Sequence, residues 1–210
     1  MNIVIFGGSG GLGKQLEFPS HNVTKLSSKD VDITDAAAVE QYFMLHSVDV
    51  VINLSGYNSD GMLHKIESWG SVDKTIEVNL KGNLIVTSAA MKYLRDKGGC
   101  IILISSILGK KPVMGTSVYS ATKAGIDNLV KTAALEGASK GVTVNSIQLG
   151  YFDGGLTYTI PEKIREQIKM TIPLKRWGRI SELERTIEWL MDCEYATGMN
   201  IPLDGGISFK

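Results

Sequence analysis

Short apolar runs alternate with longer amphipathic stretches along most of this chain. The runs are rich in valine and isoleucine and end at glycine, serine or asparagine, a pattern typical of buried strands. They predict strands over residues 2–6, 23–28, 31–33, 49–53, 100–104, 142–147 and 199–203. The intervening stretches predict helices over residues 36–47, 69–97, 119–139 and 181–191. Strands that alternate with helices favour an α/β fold with a parallel sheet.

The N-terminal part of the chain departs from this rhythm. Residues 14–18 allow only a turn or two of helix before Pro19, because proline does not continue a helix. The next helix is expected to begin after Thr34 as its N-cap, with Asp35 near its positive end. We therefore expect a single domain whose N-terminal half is shortened.

Composition narrows the class of protein. A chain of 210 residues suits one domain with a sizeable core. Its 22 basic and 22 acidic residues form no block of like charge, so we expect no nucleic-acid partner and no polybasic membrane anchor. No apolar stretch approaches the roughly 20 residues that span a bilayer.

Cys100 and Cys193 lie in apolar surroundings, which favours buried thiols over a disulfide, although the sequence leaves the disulfide open. We expect a soluble, cytoplasmic protein.

A glycine-rich loop follows the first strand directly. It reads Gly-Gly-Ser-Gly-Gly-Leu-Gly over residues 7–13. Glycine lets the backbone turn sharply and approach a phosphate, and amides at the start of a following helix favour an anion. Gly8, Gly10 and Gly13 match the G-x-G-x-x-G dinucleotide fingerprint, whereas Gly7, Gly11 and Gly13 match a G-x-x-x-G-x-G pattern. Either register, at the first strand–helix junction, indicates a dinucleotide cofactor.

The end of the second strand bears on the choice of cofactor. An acidic group there binds the ribose hydroxyls of NAD, whereas a basic group accommodates the 2′-phosphate of NADP. Ser27, Ser28 and Lys29 occupy this place, which favours NADP. Asp30 is close enough to leave NAD open. Further on, Asn53-Leu-Ser-Gly56 ends another strand with small residues that leave room for an adenine ring and its ribose.

A tyrosine and a lysine lie one helical turn apart near the start of the 119–139 helix. Tyr119 and Lys123 are four residues apart and therefore share a helix face. A free phenol has a pKa near 10, and a nearby ammonium lowers it towards the range in which proton transfer is efficient. Ser106, at the end of the 100–104 strand, could hold the oxygen of a carbonyl or alcohol. This pattern is frequent by chance, and on it alone Tyr119 is more often a half-buried helix residue and Lys123 a solvated one.

Residues 151–172 break the alternation of strands and helices. Tyr151, Phe152, Leu156, Tyr158 and Ile160 give this segment an aromatic and apolar character around Gly154 and Gly155. A loop beyond the carboxyl end of a parallel strand is where a substrate lid is expected. A loop that merely packs on the domain fits the same residues.

Over nearly its whole length the sequence resembles the short-chain dehydrogenase/reductase family, and most of all its compact branch that includes the beta-ketoacyl-carrier-protein reductases. Residues 7–13 resemble the family's phosphate loop in the Gly7, Gly11, Gly13 register, and Asp32-Ile33 its adenine-contacting pair. Residues 53–56 resemble its Asn-Asn-Ala-Gly turn, and residues 78–80 the motif with its catalytic asparagine, here Asn79. Ser106 lies 13 residues before Tyr119, a spacing similar to that of the family. Residues 172–179, 197–198 and 204–206 resemble its C-terminal signatures.

This resemblance implies a doubly wound Rossmann fold with seven parallel strands, NADP or NAD as cofactor, and no metal. It implies reversible hydride transfer between the nicotinamide and a carbonyl or secondary alcohol. The implied catalytic residues are Asn79, Ser106, Tyr119 and Lys123. Tyr119 would exchange the proton, Ser106 would orient the carbonyl, Lys123 would bind the nicotinamide ribose, and Asn79 would hold a relay water. The expected cofactor-binding residues are Gly7, Ser9, Gly10, Gly11, Leu12, Gly13, Ser27, Ser28, Lys29, Asp32, Ile33, Asn53, Ser55, Gly56, Tyr119, Lys123, Gly150 and Thr157.

Several positions depart from the family pattern. Phe6 stands where threonine usually precedes the first glycine, and Leu149 replaces the proline of a Pro-Gly step. Gly154 stands where a threonine holds the nicotinamide amide, with Thr157 as the expected substitute. The first helix is truncated, and the helix expected between strands two and three is missing. These departures put the adenine and nicotinamide-amide contacts in question.

Two readings of function remain open beside the reduction of a ketoacyl substrate. One is oxidation of a sugar alcohol, a steroid or another secondary alcohol, and the other is a catalytically silent NADP-binding regulator. Small residues along the 69–97 and 119–139 helices permit close helix packing. By resemblance they predict a homodimer or homotetramer that pairs these helices.

Overall fold

The computed structural model describes residues 1–58, 61–67, 69–154, 157 and 160–209. Its centre is a parallel sheet with the strand order β2-β1-β3-β4-β5-β6. The strands are β1 (Asn2–Phe6), β2 (Asn22–Leu26), β3 (Val50–Asn53), β4 (Gly99–Ser106), β5 (Val142–Leu149) and β6 (Asn200–Leu203). The order reverses between β1 and β3, which creates the crevice in which open α/β sheets bind ligands.

Helices cover both faces of the sheet. They are α1 (Ala36–Leu45), α2 (Gly70–Ile76), α3 (Gly82–Leu94), α4 (Ser117–Gly137), α5 (Glu162–Thr171) and α6 (Ile180–Asp192). Short 3₁₀ turns occupy Leu63–Lys65, Ile107–Gly109, Ala138–Lys140 and Ile207–Phe209. Within the described ranges, none of the helices is both long and apolar enough to cross a bilayer.

The core consists of two apolar clusters, one on each face. Side chains alternate along a strand, so Val4 and Phe6 of β1 enter one cluster while Ile3 and Ile5 enter the other. The first cluster contains residues of α1, α3 and α4, and the second contains residues of α6. The prediction of a doubly wound parallel sheet is therefore confirmed.

The predicted strand over residues 31–33 is wrong, and the described sheet has six strands rather than seven. Only residues 27–35 join β2 to α1, and they form two turns. Asp30 accepts hydrogen bonds from the amide and hydroxyl of Ser27, and Asp32 accepts them from the amide and hydroxyl of Thr34. Such local bonds compete with a strand ladder. Ile33 is buried all the same, because it packs against α3 at Gly82. As a result β2 is an edge strand.

The short helix predicted after the glycine-rich loop does not form. Residues 7–15 are a series of turns with isolated bonds from the Lys14 amide to Gly10 O and from the Gln15 amide to Leu12 O. Leu16 and Phe18 nevertheless join the second apolar cluster, where a helix would have packed. The N-cap of α1 is Asp35 rather than Thr34, since the Asp35 carboxylate accepts from the Ala37 and Ala38 amides.

The predicted helix over residues 69–97 is interrupted by a π-helical turn. Glu77–Lys81 joins α2 to α3 with this wider hydrogen-bond pattern, and Asn79 lies at its centre. π-turns are rare in helices and are frequent at functional sites.

Residues 151–172, the predicted lid, include the helix α5. Arg165 on α5 forms an ion pair with Asp153 at 3.3 Å and lies over the ring of Trp177 at 5.4 Å. Gly155, Leu156 and Tyr158 of this prediction lie outside the described residues. The lid function therefore stays a prediction.

Candidate active site

The sequence-predicted site residues gather at the carboxyl edge of the sheet. Parallel strands end at the same edge, so the segments that follow β1, β3, β4 and β5 come together there. Gly7 shows how closely they approach, because a Cβ on this residue would lie 2.7 Å from the Ser55 amide nitrogen. The turn after β1 thus packs directly on the turn after β3.

The glycine-rich loop needs glycine at both ends of the Gly7–Gly13 register. Gly7 has a φ of 74°, in the left-handed region, and a Cβ on Gly13 would lie 2.5 Å from Gly7 O. Gly8 is also closely packed, against Lys25 of β2. Ser9, Gly10 and Gly11 are exposed, and Leu12 is half-buried. The loop is therefore tightly folded at its base and open at its tip.

Ser106 lies at the end of β4 and is largely buried. Its Oγ accepts a hydrogen bond from the Leu108 amide at 3.2 Å and lies 3.5 Å from Leu149 O on β5. The neighbouring Ser105 Oγ lies 3.3 Å from Lys123 O on α4. A Cβ on Gly109, three residues after Ser106, would lie 2.9 Å from the Ala124 amide nitrogen. The end of β4 and its following turn are thus packed on the first turns of α4.

Tyr119 and Lys123 occupy those first turns, as the four-residue spacing predicts. Tyr119 is half-buried, whereas Lys123 is only 3% exposed. The Lys123 Nζ donates to Ile104 O at 2.8 Å and lies 5.5 Å from the centroid of the Tyr119 ring. Burial lowers the pKa of Lys123 to about 8, and the negative charge of Asp127 opposes this shift.

Asn79, in the π-turn Glu77–Lys81, contacts α4 through Thr122. Its Nδ2 lies 3.3 Å from the Thr122 Oγ1, and the Thr122 hydroxyl donates to Tyr119 O at 2.7 Å. The same carboxamide also exchanges two hydrogen bonds of 2.7 Å with the backbone of Tyr57. Asn79, Ser106, Tyr119 and Lys123 are therefore brought together around the first turns of α4.

One residue of this network was not predicted from the sequence. Asn83 is almost fully buried, donates to Asn79 O at 2.7 Å and accepts from the Asn53 Nδ2 at 3.0 Å. Asn53 in turn accepts from the Ser55 amide. The amide network thus ties the end of β3 to the π-turn. The available signal was the four-residue spacing of Asn79 and Asn83, which places both on one helix face.

The residues predicted to meet the adenosine lie beyond β2. Ser28, Lys29 and Asp32 are exposed, and Ser27 is held in its turn by Asp30. Hydrogen bonding to Ser27 lowers the pKa of Asp30. Ile33, the partner of Asp32 in the predicted adenine pair, is buried in the core and offers only its backbone to a ligand.

The remaining predicted contacts lie after β5. The Gly150 amide donates to Leu203 O at the end of β6, and a Cβ on Gly150 would lie 2.7 Å from the Cα of the next residue, Asp204. The Thr157 hydroxyl bonds within its own loop, to Phe152 O at 2.6 Å or Gly154 O at 2.7 Å. A Cβ on Gly154 would lie 3.2 Å from the Leu12 Cδ2, so this loop packs against the glycine-rich loop. Gly56 is exposed beside Asn79.

This geometry can be compared with known proteins. The protein-family model described as Enoyl-(Acyl carrier protein) reductase matches residues 18–208. The chain belongs to the short-chain dehydrogenase/reductase family. It is thus an oxidoreductase of that family, as the resemblance predicted.

The curated relatives of this short-chain dehydrogenase/reductase include two named reductases. It is 34% identical over 183 residues to 3-oxoacyl-[acyl-carrier-protein] reductase FabG of Staphylococcus aureus (strain N315), covering 85% of this chain and 73% of that protein. It is 41% identical over 171 residues to acetoacetyl-CoA reductase of Rhizobium meliloti (strain 1021), covering 79% of this chain and 70% of that protein.

A solved structure of a small-chain dehydrogenase in complex with NADPH is similar throughout. It superposes with a TM-score of 0.89 at 26% identity, over 100% of this chain and 99% of that one. The two chains therefore share their fold over almost their whole length, and that dehydrogenase was solved in complex with NADPH.

Proposed function

We propose that this protein is an NADPH-dependent reductase that converts a 3-oxoacyl thioester into the 3-hydroxyacyl thioester. The named relatives, a 3-oxoacyl-carrier-protein reductase and an acetoacetyl-CoA reductase, support this choice of substrate. The structural relative in complex with NADPH supports the cofactor. Oxidation of a secondary alcohol is the same reaction in reverse and uses the same groups.

The observation that carries the proposal is the buried Lys123 amine one turn from Tyr119. Burial brings the pKa of Lys123 to about 8, so the amine is mostly protonated at neutral pH. A positive charge in such surroundings favours the ionised phenol, because poorly hydrated charges interact strongly. Tyr119 is thereby suited to exchange a proton near neutral pH.

The described residues fit a dinucleotide. Backbone atoms of Ser55 and Gly7 occupy the space that a Cβ on Gly7 or on Gly13 would need, so the base of the loop is fixed, whereas its tip at Ser9 to Gly11 is exposed to a ligand. We propose that the loop amides hold the pyrophosphate without help from a following helix. The exposed Ser28 and Lys29 would hold the 2′-phosphate, and the backbone at Asp32 and Ile33, with residues 53–56, would hold the adenosine.

The residues would then divide the chemistry as follows. When bound, NADPH supplies a hydride to the carbonyl carbon. The Ser106 hydroxyl donates a hydrogen bond that polarises the carbonyl oxygen, and the Tyr119 hydroxyl gives this oxygen its proton. The Lys123 ammonium has three N–H donors, of which Ile104 O takes one, and another would bind the nicotinamide ribose.

Asn79 needs a revised role in this proposal. Its carboxamide is engaged with the Tyr57 backbone and Thr122, so it positions the turn after β3 against α4. A carbonyl oxygen accepts two hydrogen bonds, and Asn83 provides one to Asn79 O. We propose that the main-chain oxygen, rather than the side chain, holds the relay water.

The test is consumption of NADPH by the purified protein with acetoacetyl-CoA, measured beside NADH. We expect turnover with NADPH and a lower kcat/KM with NADH. Tight NADPH binding without turnover on acetoacetyl-CoA or on a panel of other carbonyl compounds would favour the silent regulator instead. Equal or better use of NADH would contradict the cofactor assignment while leaving the reaction class intact.

A further inference from the structure

A buried carboxylate, Asp127, lies one turn beyond Lys123 on the same face of α4. It is 9% exposed, and it has no place in the chemistry proposed above. Residues four apart on a helix are neighbours, so its charge lies near the Lys123 amine. An ionised carboxylate is seldom buried unless hydrogen bonds or an opposite charge compensate it.

Asp127 contacts residues that lie next to Ser106 and close to Lys123. Ser105, adjacent to Ser106, faces its carboxylate with a hydroxyl that also lies 3.3 Å from Lys123 O. A Cβ on Gly109, in the turn that follows Ser106, would lie 3.0 Å from the Asp127 Oδ2. The Asp127 carboxylate therefore lies where its own helix, α4, packs on the turn that follows β4.

The strand β5 supplies a short hydrogen bond to the Asp127 carboxylate. The Gln148 Nε2 donates to the Asp127 Oδ2 at 2.6 Å, and the Ser146 Oγ lies 3.5 Å from the Oδ1. Gln148 precedes Leu149, whose carbonyl oxygen lies near the Ser106 hydroxyl. Asn200 of β6 donates to the Asp127 main-chain oxygen.

The charge that acts on the Asp127 carboxylate comes from Lys123. The contacts described above are all with uncharged residues. They come from Ser105 on β4, Ser146 and Gln148 on β5, Asn200 on β6 and Gly109 in the Ile107–Gly109 turn. On α4, Lys123 lies one turn before Asp127 and the exposed Lys131 lies one turn after it, and the charge of Lys123 acts on the Asp127 carboxylate. Burial raises the pKa of Asp127, and the bonds from Ser105 and Gln148 and the charge of Lys123 oppose that rise.

We infer that Asp127 is a positioning residue that keeps the Lys123 amine protonated and fixes the turn after Ser106 against α4. This inference rests on the proposed function only for its catalytic consequence, since the coupling between the two side chains exists without a substrate. The neutral amide of asparagine has nearly the same shape as aspartate, so Asp127→Asn removes the charge and keeps the volume.

The test is the titration of Lys123 followed by NMR in protein labelled with ¹³C at the lysine Cε. The resonance missing from Lys123→Met identifies the residue. Because the carboxylate favours the ammonium, Asp127→Asn should lower the pKa of Lys123 by about one unit or more. Glu136→Gln, the same charge change on an exposed position of α4, should leave it unmoved.

The second measurement is kcat/KM for acetoacetyl-CoA with NADPH as a function of pH. The deficit of Asp127→Asn should be small near pH 6 and should grow to about fivefold near pH 8, because more of its Lys123 has lost the proton. A role confined to packing would lower kcat/KM equally at every pH. If Asp127→Asn does not fold, Asp127→Ser removes the same charge with a smaller side chain and should give the same shift.

An unchanged Lys123 pKa in these variants overturns the inference, whether or not the protein reduces acetoacetyl-CoA. A lowered pKa in a protein that reduces no carbonyl compound supports the coupling and contradicts the proposed function. The two claims therefore fail separately.

Discussion

At the scale of single residues, the buried amine of Lys123 is the property on which the proposed chemistry depends. Burial disfavours its charged form, the side chain donates a hydrogen bond to Ile104 O, and the negative charge of Asp127 partly offsets the effect of burial. The unfolded chain binds the same proton more tightly. Folding stability is therefore linked to pH at this position.

Replacing Lys123 with methionine should remove this linkage. The folded-state pKa of about 8 lies below the ordinary value of 10.5, so between these values the unfolded chain binds more protons. The stability of the natural protein should thus rise relative to Lys123→Met across this window, with a slope of at most about 1.4 kcal/mol per pH unit. Urea unfolding at about pH 7 and about pH 10 measures the difference. A stability difference that is flat with pH would show that the amine is not buried in solution.

The sequence identifies the proposed catalytic residues better than the residues that position them. The spacing drew attention to Tyr119, Lys123 and Ser106, the resemblance implied their catalytic roles, and the structure brings them to one corner of the sheet. Asn83 and Asp127 were not predicted, although each lies four residues from a predicted residue. Polar pairs at this spacing are common on solvated helix faces, and only the packed fold shows which face is buried.

At the scale of elements, apolar runs predicted the strands well where both faces of the strand are buried. The runs at β1, β3, β4 and β5 are nearly continuous, as expected for a covered parallel sheet. Residues 31–33 misled the prediction because Val31 and Ile33 alternate with Asp32 in a strand-like pattern. Ile33 satisfies that pattern by packing from a turn instead.

The π-turn at Glu77–Lys81 could not be predicted from the pattern of side chains. It changes which carbonyl each amide bonds, and apolar spacing is almost blind to that change. Its consequence is specific, since Asn79 O becomes the acceptor of the Asn83 side chain.

The carboxylate of Glu182 stabilises the first turn of helix α6. Glu182 accepts two hydrogen bonds from Arg176, at 2.6 and 2.9 Å, and one from the Arg179 amide at 2.9 Å. The bonds from Arg176 and Arg179 lower the pKa of Glu182 to about 2, from its ordinary value of 4.5. Its stabilising effect is thus fully present above about pH 4.5 and is lost as the pH falls through about 2.

Replacing Glu182 with glutamine should therefore destabilise the protein in a pH-dependent way. We expect a loss of about 1 kcal/mol at neutral pH, a modest value because the ion pair is partly exposed to solvent. The loss should shrink between about pH 4.5 and about pH 2. Thermal unfolding measures it, with Glu188→Gln on the same helix as the control. An equal loss from both variants would contradict the role given to Glu182.

At the scale of the whole molecule, the shortened N-terminal half leaves the active-site edge intact. The helix that does not form lies between β1 and β2 and the strand that does not form follows β2, whereas the proposed catalytic residues lie around β4, β5 and α4. The fold class was predictable because the alternation of strands and helices survives the shortening. The number of strands was not, because both the apolar pattern at residues 31–33 and the resemblance indicated a seventh strand, whereas the connection between β2 and α1 is too short to form it.

The exposed apolar residues of α3 and α4 bear on the predicted assembly. Leu84 is 46% and Leu135 82% exposed, and we propose that they lie in a helix-pairing interface of a homodimer or homotetramer. Light scattering should give a dimer or tetramer mass, which Leu135→Glu should reduce towards that of a monomer. Met44→Glu changes an equally exposed residue on α1 and should leave the mass unchanged. A monomer at working concentration would contradict the proposal.

The central claim is that Tyr119 supplies the proton, and replacing it with phenylalanine tests this most directly. The substitution removes one hydroxyl from a half-buried side chain and leaves the glycine-rich loop unchanged. We predict that kcat for acetoacetyl-CoA falls by about 10³-fold while the Kd for NADPH stays within about threefold. Tyr195→Phe, on a fully exposed residue, should retain full activity. Ordinary turnover by the Tyr119→Phe variant would contradict the account.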